Sequence, residues 1–254
     1  MEQVKKHSKK RVWILIISVL SFILVLFSVF FGYVSFYNHA TQNAIACMDD
    51  TSLSQIQDEK DYVSFVPKKD SLKSDKGFIF YPGGKVEYKS YAPFLRGLSD
   101  LGITSVLVKM PFNLAVFNIN GADNKQTLFP EIKEWFIGGH SLGGAMASNY
   151  IYRHYDDYHG LILLGSYSTK DLSSCDNIST LSLLAEHDQV LDKEKYEKNK
   201  KNLPNLTEIT VDGGIHSYFG DYGIQSGDGI PSISFDEQNR KIISSVVSFV
   251  FHMN

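Results

Sequence analysis

Between residues 62 and 251, short apolar runs alternate with stretches whose apolar positions recur at helical spacing. "YVSFVP" (62–67) alternates with period two, as an edge strand does. "GFIFY" (77–81), "TSVLVKM" (104–110), "WFIGG" (135–139), "GLILLG" (160–165), "STLSLLA" (179–185) and "LTEITVD" (206–212) are compact apolar runs that read as strands. "YAPFLRGLSDLG" (91–102) sets Phe94, Leu95, Leu98 and Leu101 on one helical face, with Gly102 as a stop. Residues 142–154 read as a helix that follows a Gly-rich bend, and residues 237–251 as a closing amphipathic helix. Lys68 to Lys76 forms a charged turn. Strands alternating with helices predict an α/β fold, with a doubly wound and mostly parallel sheet covered on both faces. Ligands in such sheets bind at the carboxyl ends of the strands.

The pattern upstream is different. Val12 to Tyr37 is almost wholly apolar, and no formal charge stands between Arg11 and Asp49. As a helix those residues would span about 39 Å, enough to cross a hydrocarbon core of about 30 Å with tilt. A cleaved signal peptide would carry a much shorter apolar region, so an uncleaved anchor is expected. Five of the 25 basic residues precede the span, and the next one is Lys60. That bias places the N-terminus in the cytoplasm and the rest of the chain outside. The expected organisation is a cytoplasmic basic segment (1–11), a transmembrane helix with the lipid bilayer as its partner (12–37), a polar connector (38–60) and a folded domain (61–254).

Composition adds exclusions. Beyond residue 11 the chain holds 20 basic against 27 acidic side chains, and such a surface gives no reason to expect nucleic-acid binding. The two cysteines, Cys47 and Cys175, allow one bridge but do not form a disulfide framework. "AIAC" (44–47) lies too far beyond the apolar run to read as a lipid-modification site. No metal-ligand spacing appears, and no cofactor is expected.

The candidate chemistry lies at the bend in "WFIGGHSLGGAMASNYIY" (135–152). Gly139-His140-Ser141-Leu142-Gly143 fits G-x-S-x-G between a strand and a helix, which exposes the serine as a nucleophile. A hydroxyl nucleophile needs a base, and histidine titrates in the useful range. Of the eight histidines, only His216 follows the last apolar strand with two glycines that let the loop fold back. The base needs a carboxylate to fix its tautomer. Asp188 leads, just past the strand at 179–185, with Glu186, Asp192, Asp171 and Asp176 as rivals. The developing oxyanion needs two backbone N–H donors. Leu142 would supply one at the helix N-terminus, and Gly84 the other, with the Lys85 N–H as alternative.

With these residues assembled, stretch 77–250 resembles the alpha/beta-hydrolase superfamily. "YPGGKVEYKSYAPFLRGL", "VKMPFNLAVF", "GGHSLGGAMA" and "HSYFGDYGIQSGDG" look like a small bacterial membrane-anchored subgroup of it. The resemblance implies a serine-hydrolase triad on Ser141, Asp188 and His216, although Pro82-Gly83 stands where His-Gly is usual. Only about a dozen residues separate the runs at 160–165 and 179–185, so no lid is expected. Tyr218 or Tyr222 would contact the substrate. The leading expectation is cleavage of a small-molecule carboxylic ester or related acyl compound at the outer face of a membrane. An acyltransferase would use the same triad, and a silent membrane-tethered binding protein the same fold.

Overall fold

The computed structural model describes residues 2–70 and 72–252, with side chains from Trp13 onward; the side chains of the expected basic segment lie outside the described residues. The chain divides into two units, residues 1–37 and 38–254. In the first, helix α1 (Glu2–Ser35) contains a stretch, Trp13–Ser35, that is long and apolar enough to cross a membrane.

The second unit is built on eight strands. In chain order its elements are α2 (Gln42–Ala46), β1 (Ser54–Asp58), β2 (Tyr62–Pro67), β3 (Lys76–Tyr81), α3 (Ala92–Asp100), β4 (Thr104–Val108) and β5 (Glu134–His140). There follow α4 (Leu142–Ile151), β6 (Gly160–Leu164), β7 (Ser179–Ala185), α5 (Lys193–Asn199), β8 (Leu206–Val211) and α6 (Phe235–His252). The sheet order is β1-β2-β4-β3-β5-β6-β7-β8. Pairings from β4 to β8 are parallel, and β1 and β2 add antiparallel strands at one side.

Residue alternation sends the strands' side chains into two cores. Phe78 and Phe80 of β3 pack with Leu95 and Leu98 of α3 and with Ile242, Val246 and Val250 of α6. Ile79 and Tyr81 pack on the other face with Val106, Ile137, Ala147 and Ile151. Burial on both faces explains why the central strands read as unbroken apolar runs. From β3 the chain moves to β4 on one side and then to β5 on the other. The carboxyl ends of β3 and β5 are therefore neighbours at the point where the winding reverses, the usual place for a ligand crevice.

Three expectations need correction. Residues 38–60 are not a free connector, because they contain α2 and β1 and belong to the folded unit. Consequently "YVSFVP" is not an edge strand, since β1 covers it. The sequence leaves the pairing of Cys47 and Cys175 open; in the structure both are free and buried, each in a different core on opposite faces of the sheet. Leu101, expected on the apolar face, is exposed because α3 ends one residue earlier and the chain turns through Gly102 at φ 99°.

Candidate active site

Ser141 stands at the tip between β5 and α4 with φ 51° and ψ −122°, a strained conformation for a non-glycine residue. The strain is held from both sides. The Ser141 N–H donates to the Leu164 carbonyl at 3.0 Å, and Ser166 Oγ donates to the Ser141 carbonyl at 2.7 Å. The turn also needs its glycines, since a Cβ on Gly143 would collide with the Tyr81 and Pro82 carbonyl oxygens.

His216 and Asp188 form a buried pair, 2% and 1% exposed, with His216 Nδ1 2.7 Å from Asp188 Oδ2. The other carboxylate oxygen accepts the Val190 and Leu191 N–H groups, both at 2.8 Å. The carboxylate is thereby fixed in place before it meets the ring. The histidine loop is fixed as well: Gln238 of α6 donates to the Ile215 carbonyl and accepts its N–H. Asp228 accepts from the N–H groups of His216, Ser217 and Gly229 and from Ser217 Oγ. Burial works against the Asp228 charge, yet these bonds hold its carboxyl below the usual range.

Ser141 and His216 line one open cavity of about 250 Å³, together with Leu142, Ala145, Tyr167 and Leu191. Among the described residues no hydrogen bond joins the Ser141 hydroxyl to the His216 ring; the two meet as walls of that cavity. Larger hollows of about 570 and 500 Å³ lie away from Ser141 and hold none of the three candidate residues, and one of about 310 Å³ is lined by Asp188 but by neither Ser141 nor His216.

Of the rival acids only Asp192 lines the Ser141 cavity, and its carboxylate is engaged by α5 rather than by His216. Glu186 accepts the Gly213 N–H, Asp192 caps α5 through the Lys195 N–H, and Asp171 bonds Ser173. Of the candidate oxyanion donors, Lys85 is excluded, because its N–H is spent on the Asn113 carbonyl at 2.8 Å. The Gly83 N–H is also spent, on Tyr91. The N–H of Gly84 bonds no described residue, and Gly84 abuts the Leu142 side chain. Tyr218 and Tyr222 do not line the cavity: Tyr222 is buried and Tyr218 packs on Phe235. Tyr167 takes the position expected of them.

One linkage has no signature in the sequence. The fully buried Tyr91 hydroxyl accepts the Gly83 N–H at 2.9 Å and lies 2.9 Å from His140 Nδ1. The His140 ring in turn sits 4.4 Å, centroid to centroid, from that of His216. With Tyr91 donating to Nδ1, the His140 proton resides on Nε2, which makes no well-formed hydrogen bond; the His216 carbonyl is the polar group acting on it. Burial, and then the neighbouring His216, hold His140 well below the ordinary histidine range, so it stays neutral. Tyr91 and His140 thus join the loop after β3 to the histidine loop.

No curated protein matches the sequence. Solved structures do match in fold. An esterase of Pyrobaculum calidifontis aligns with TM-score 0.58 at 14% identity, over 82% of this chain and 88% of its own. Est1E of Butyrivibrio proteoclasticus aligns with TM-score 0.54 at 12% identity, over 78% and 98%. A carboxylesterase of Bacillus subtilis aligns with TM-score 0.55 at 10% identity, over 84% and 96%. Residues 77–240 match the alpha/beta hydrolase family, a span that holds the elbow serine, the buried histidine–carboxylate pair and the crevice between them, and the chain belongs to that family.

Proposed function

We propose that the protein cleaves carboxylic esters, or related acyl compounds, through an acyl-serine intermediate, held by residues 12–37 at the outer face of a membrane. The observation that carries this reading is the buried His216–Asp188 bond of 2.7 Å on the wall of the cavity that Ser141 also lines. Apo hydrogen bonds of this kind tighten only when substrate binds, so the missing Ser141–His216 bond is compatible with the role.

In the proposed mechanism Ser141 Oγ attacks the acyl carbon while His216 Nε2 takes its proton. Asp188 holds the Nδ1–H tautomer and stabilises the imidazolium. The Leu142 and Gly84 N–H groups receive the oxyanion, each contributing on the order of 3 kcal/mol. His216 returns the proton to the leaving oxygen, and water then repeats the sequence on the acyl-enzyme. Residues 165–178, between β6 and β7, form no cap helix, so the cavity stays open. The test is covalent labelling by a fluorophosphonate with parallel ester assays. Wild type should label and turn over ester, and Ser141→Ala should do neither while keeping its circular dichroism spectrum. Undiminished turnover in Ser141→Ala would remove the assigned nucleophile.

A further inference from the structure

Residues 38–48 follow the apolar helix directly, and they are stitched to both catalytic loops. The Asn38 N–H donates to the Lys85 carbonyl at 2.8 Å, and the Asn38 carbonyl accepts the Glu87 N–H at 2.9 Å. The Ala40 N–H donates to Glu87 Oε2 at 3.1 Å. Lys85 to Glu87 is the continuation of the loop that carries Gly84. On the other side the Thr41 N–H donates to the Asp221 carbonyl at 3.0 Å, and Asn43 Nδ2 donates to Asp221 Oδ2 at 2.7 Å. Asp221 lies five positions beyond His216. The segment then folds into α2, capped by Thr41, with Ala44 fully buried and Cys47 nearly so.

Chain connectivity turns this docking into a constraint. Ser35 ends α1 and Asn38 opens the bonded segment, so at most about 11 Å of extended chain separates them. Gly84 stands two residues before Val86, the bridge partner of Asn38, which adds at most about 7 Å. A folded unit of this length is about 40 Å across, so Asn38, where that unit begins, and Gly84 stand in the same part of it. Val116, Ile224 and Ile230, each on a loop after the carboxyl end of a strand, are exposed, Ile230 by 86%. The cavity of about 250 Å³ falls below the usual range for ligand pockets and has no lid. A long acyl chain would therefore keep most of its length outside it.

We propose that residues 38–48 are a strap holding the active-site mouth at the lipid–water interface, and that the substrate is an amphiphilic acyl ester carried by that interface. The inference rests on the hydrolase reading and on retention of the anchor.

The test uses the full chain in phosphatidylcholine–phosphatidylglycerol vesicles, with two fluorogenic esters, one short and water-soluble, one long-chain and dissolved in the bilayer. A variant carries twenty Gly/Ser residues inserted between Tyr37 and Asn38, which leaves the strap intact and adds a reach of roughly 25 Å. The wild type should cleave both esters. The spacer variant should keep the soluble rate and lose at least fivefold on the bilayer ester. Ile230→Asp should show the same split. Equal rates for wild type and spacer variant on the bilayer ester, or no wild-type turnover of it beside a normal soluble rate, would overturn the strap proposal. Absence of turnover on both esters, with no fluorophosphonate labelling, would instead remove the hydrolase reading beneath it.

Discussion

Tyr91→Phe isolates the linkage between the loop after β3 and the histidine loop. The substitution removes one oxygen from a fully buried site and keeps the ring that packs on Phe80 and Phe94's neighbourhood in the core. Two polar atoms lose their partner: the Gly83 N–H and His140 Nδ1. Each stranded buried group costs about 1–3 kcal/mol, so the variant should lose about 2–6 kcal/mol. That is a large share of the roughly 5–15 kcal/mol a folded domain commands. Urea unfolding of the full chain in mild detergent, followed by circular dichroism, measures the loss. A cycle with His140→Phe separates the two contributions. The double variant strands only the Gly83 N–H, whereas His140→Phe alone strands the Tyr91 hydroxyl proton, so the double variant's loss should fall short of the sum of the two single losses by about 2–6 kcal/mol. The same loosening should lower kcat for a soluble ester more than it raises KM, because Gly84 follows Gly83 directly. A loss below about 0.5 kcal/mol, or strict additivity in the cycle, would refute the linkage.

Two further outcomes are expected. Asp188→Asn keeps an oxygen for the Val190 and Leu191 N–H groups but offers His216 the wrong partner, so kcat on a soluble ester should fall on the order of 10³–10⁴-fold with KM little changed; a fall below tenfold would reassign the acid. His140 stays neutral when folded, whereas in the unfolded chain it titrates near its ordinary value of about 6.5. Its contribution is therefore fully present above that pH and declines as pH falls below it, because only the unfolded state takes up the proton. Between pH 7.5 and 5.5 the wild type should lose on the order of 1 kcal/mol more stability than His140→Phe in urea titrations, and equal losses would show that His140 protonates within the fold.

Local signals made the scaffold of the candidate site readable. The strands carry unbroken apolar runs because both sheet faces are covered, and the elbow shows itself as glycines around a serine at a strand–helix junction. His216 and Asp188 were legible from their places after strand ends, and the structure brings them into contact. The strap and β1 were not. β1 buries only Ser54 fully, so it shows no apolar periodicity, and residues 38–48 bury only short apolar side chains, Ala44 and Cys47 among them, while many of their links are hydrogen bonds to distant loops. The Tyr91–His140 contact joins positions 49 apart, and no local pattern marks such a pair. Tyr222 read as a pocket residue because its loop is rich in glycine, but the loop turns inward and buries it.

The placement of the two cysteines governs how they can react. A sheet stands between Cys47 and Cys175, and burial pushes both thiols up, which leaves little thiolate to react. The fold therefore shields both thiols from each other and from solvent, and reaching either one requires opening of the core around it.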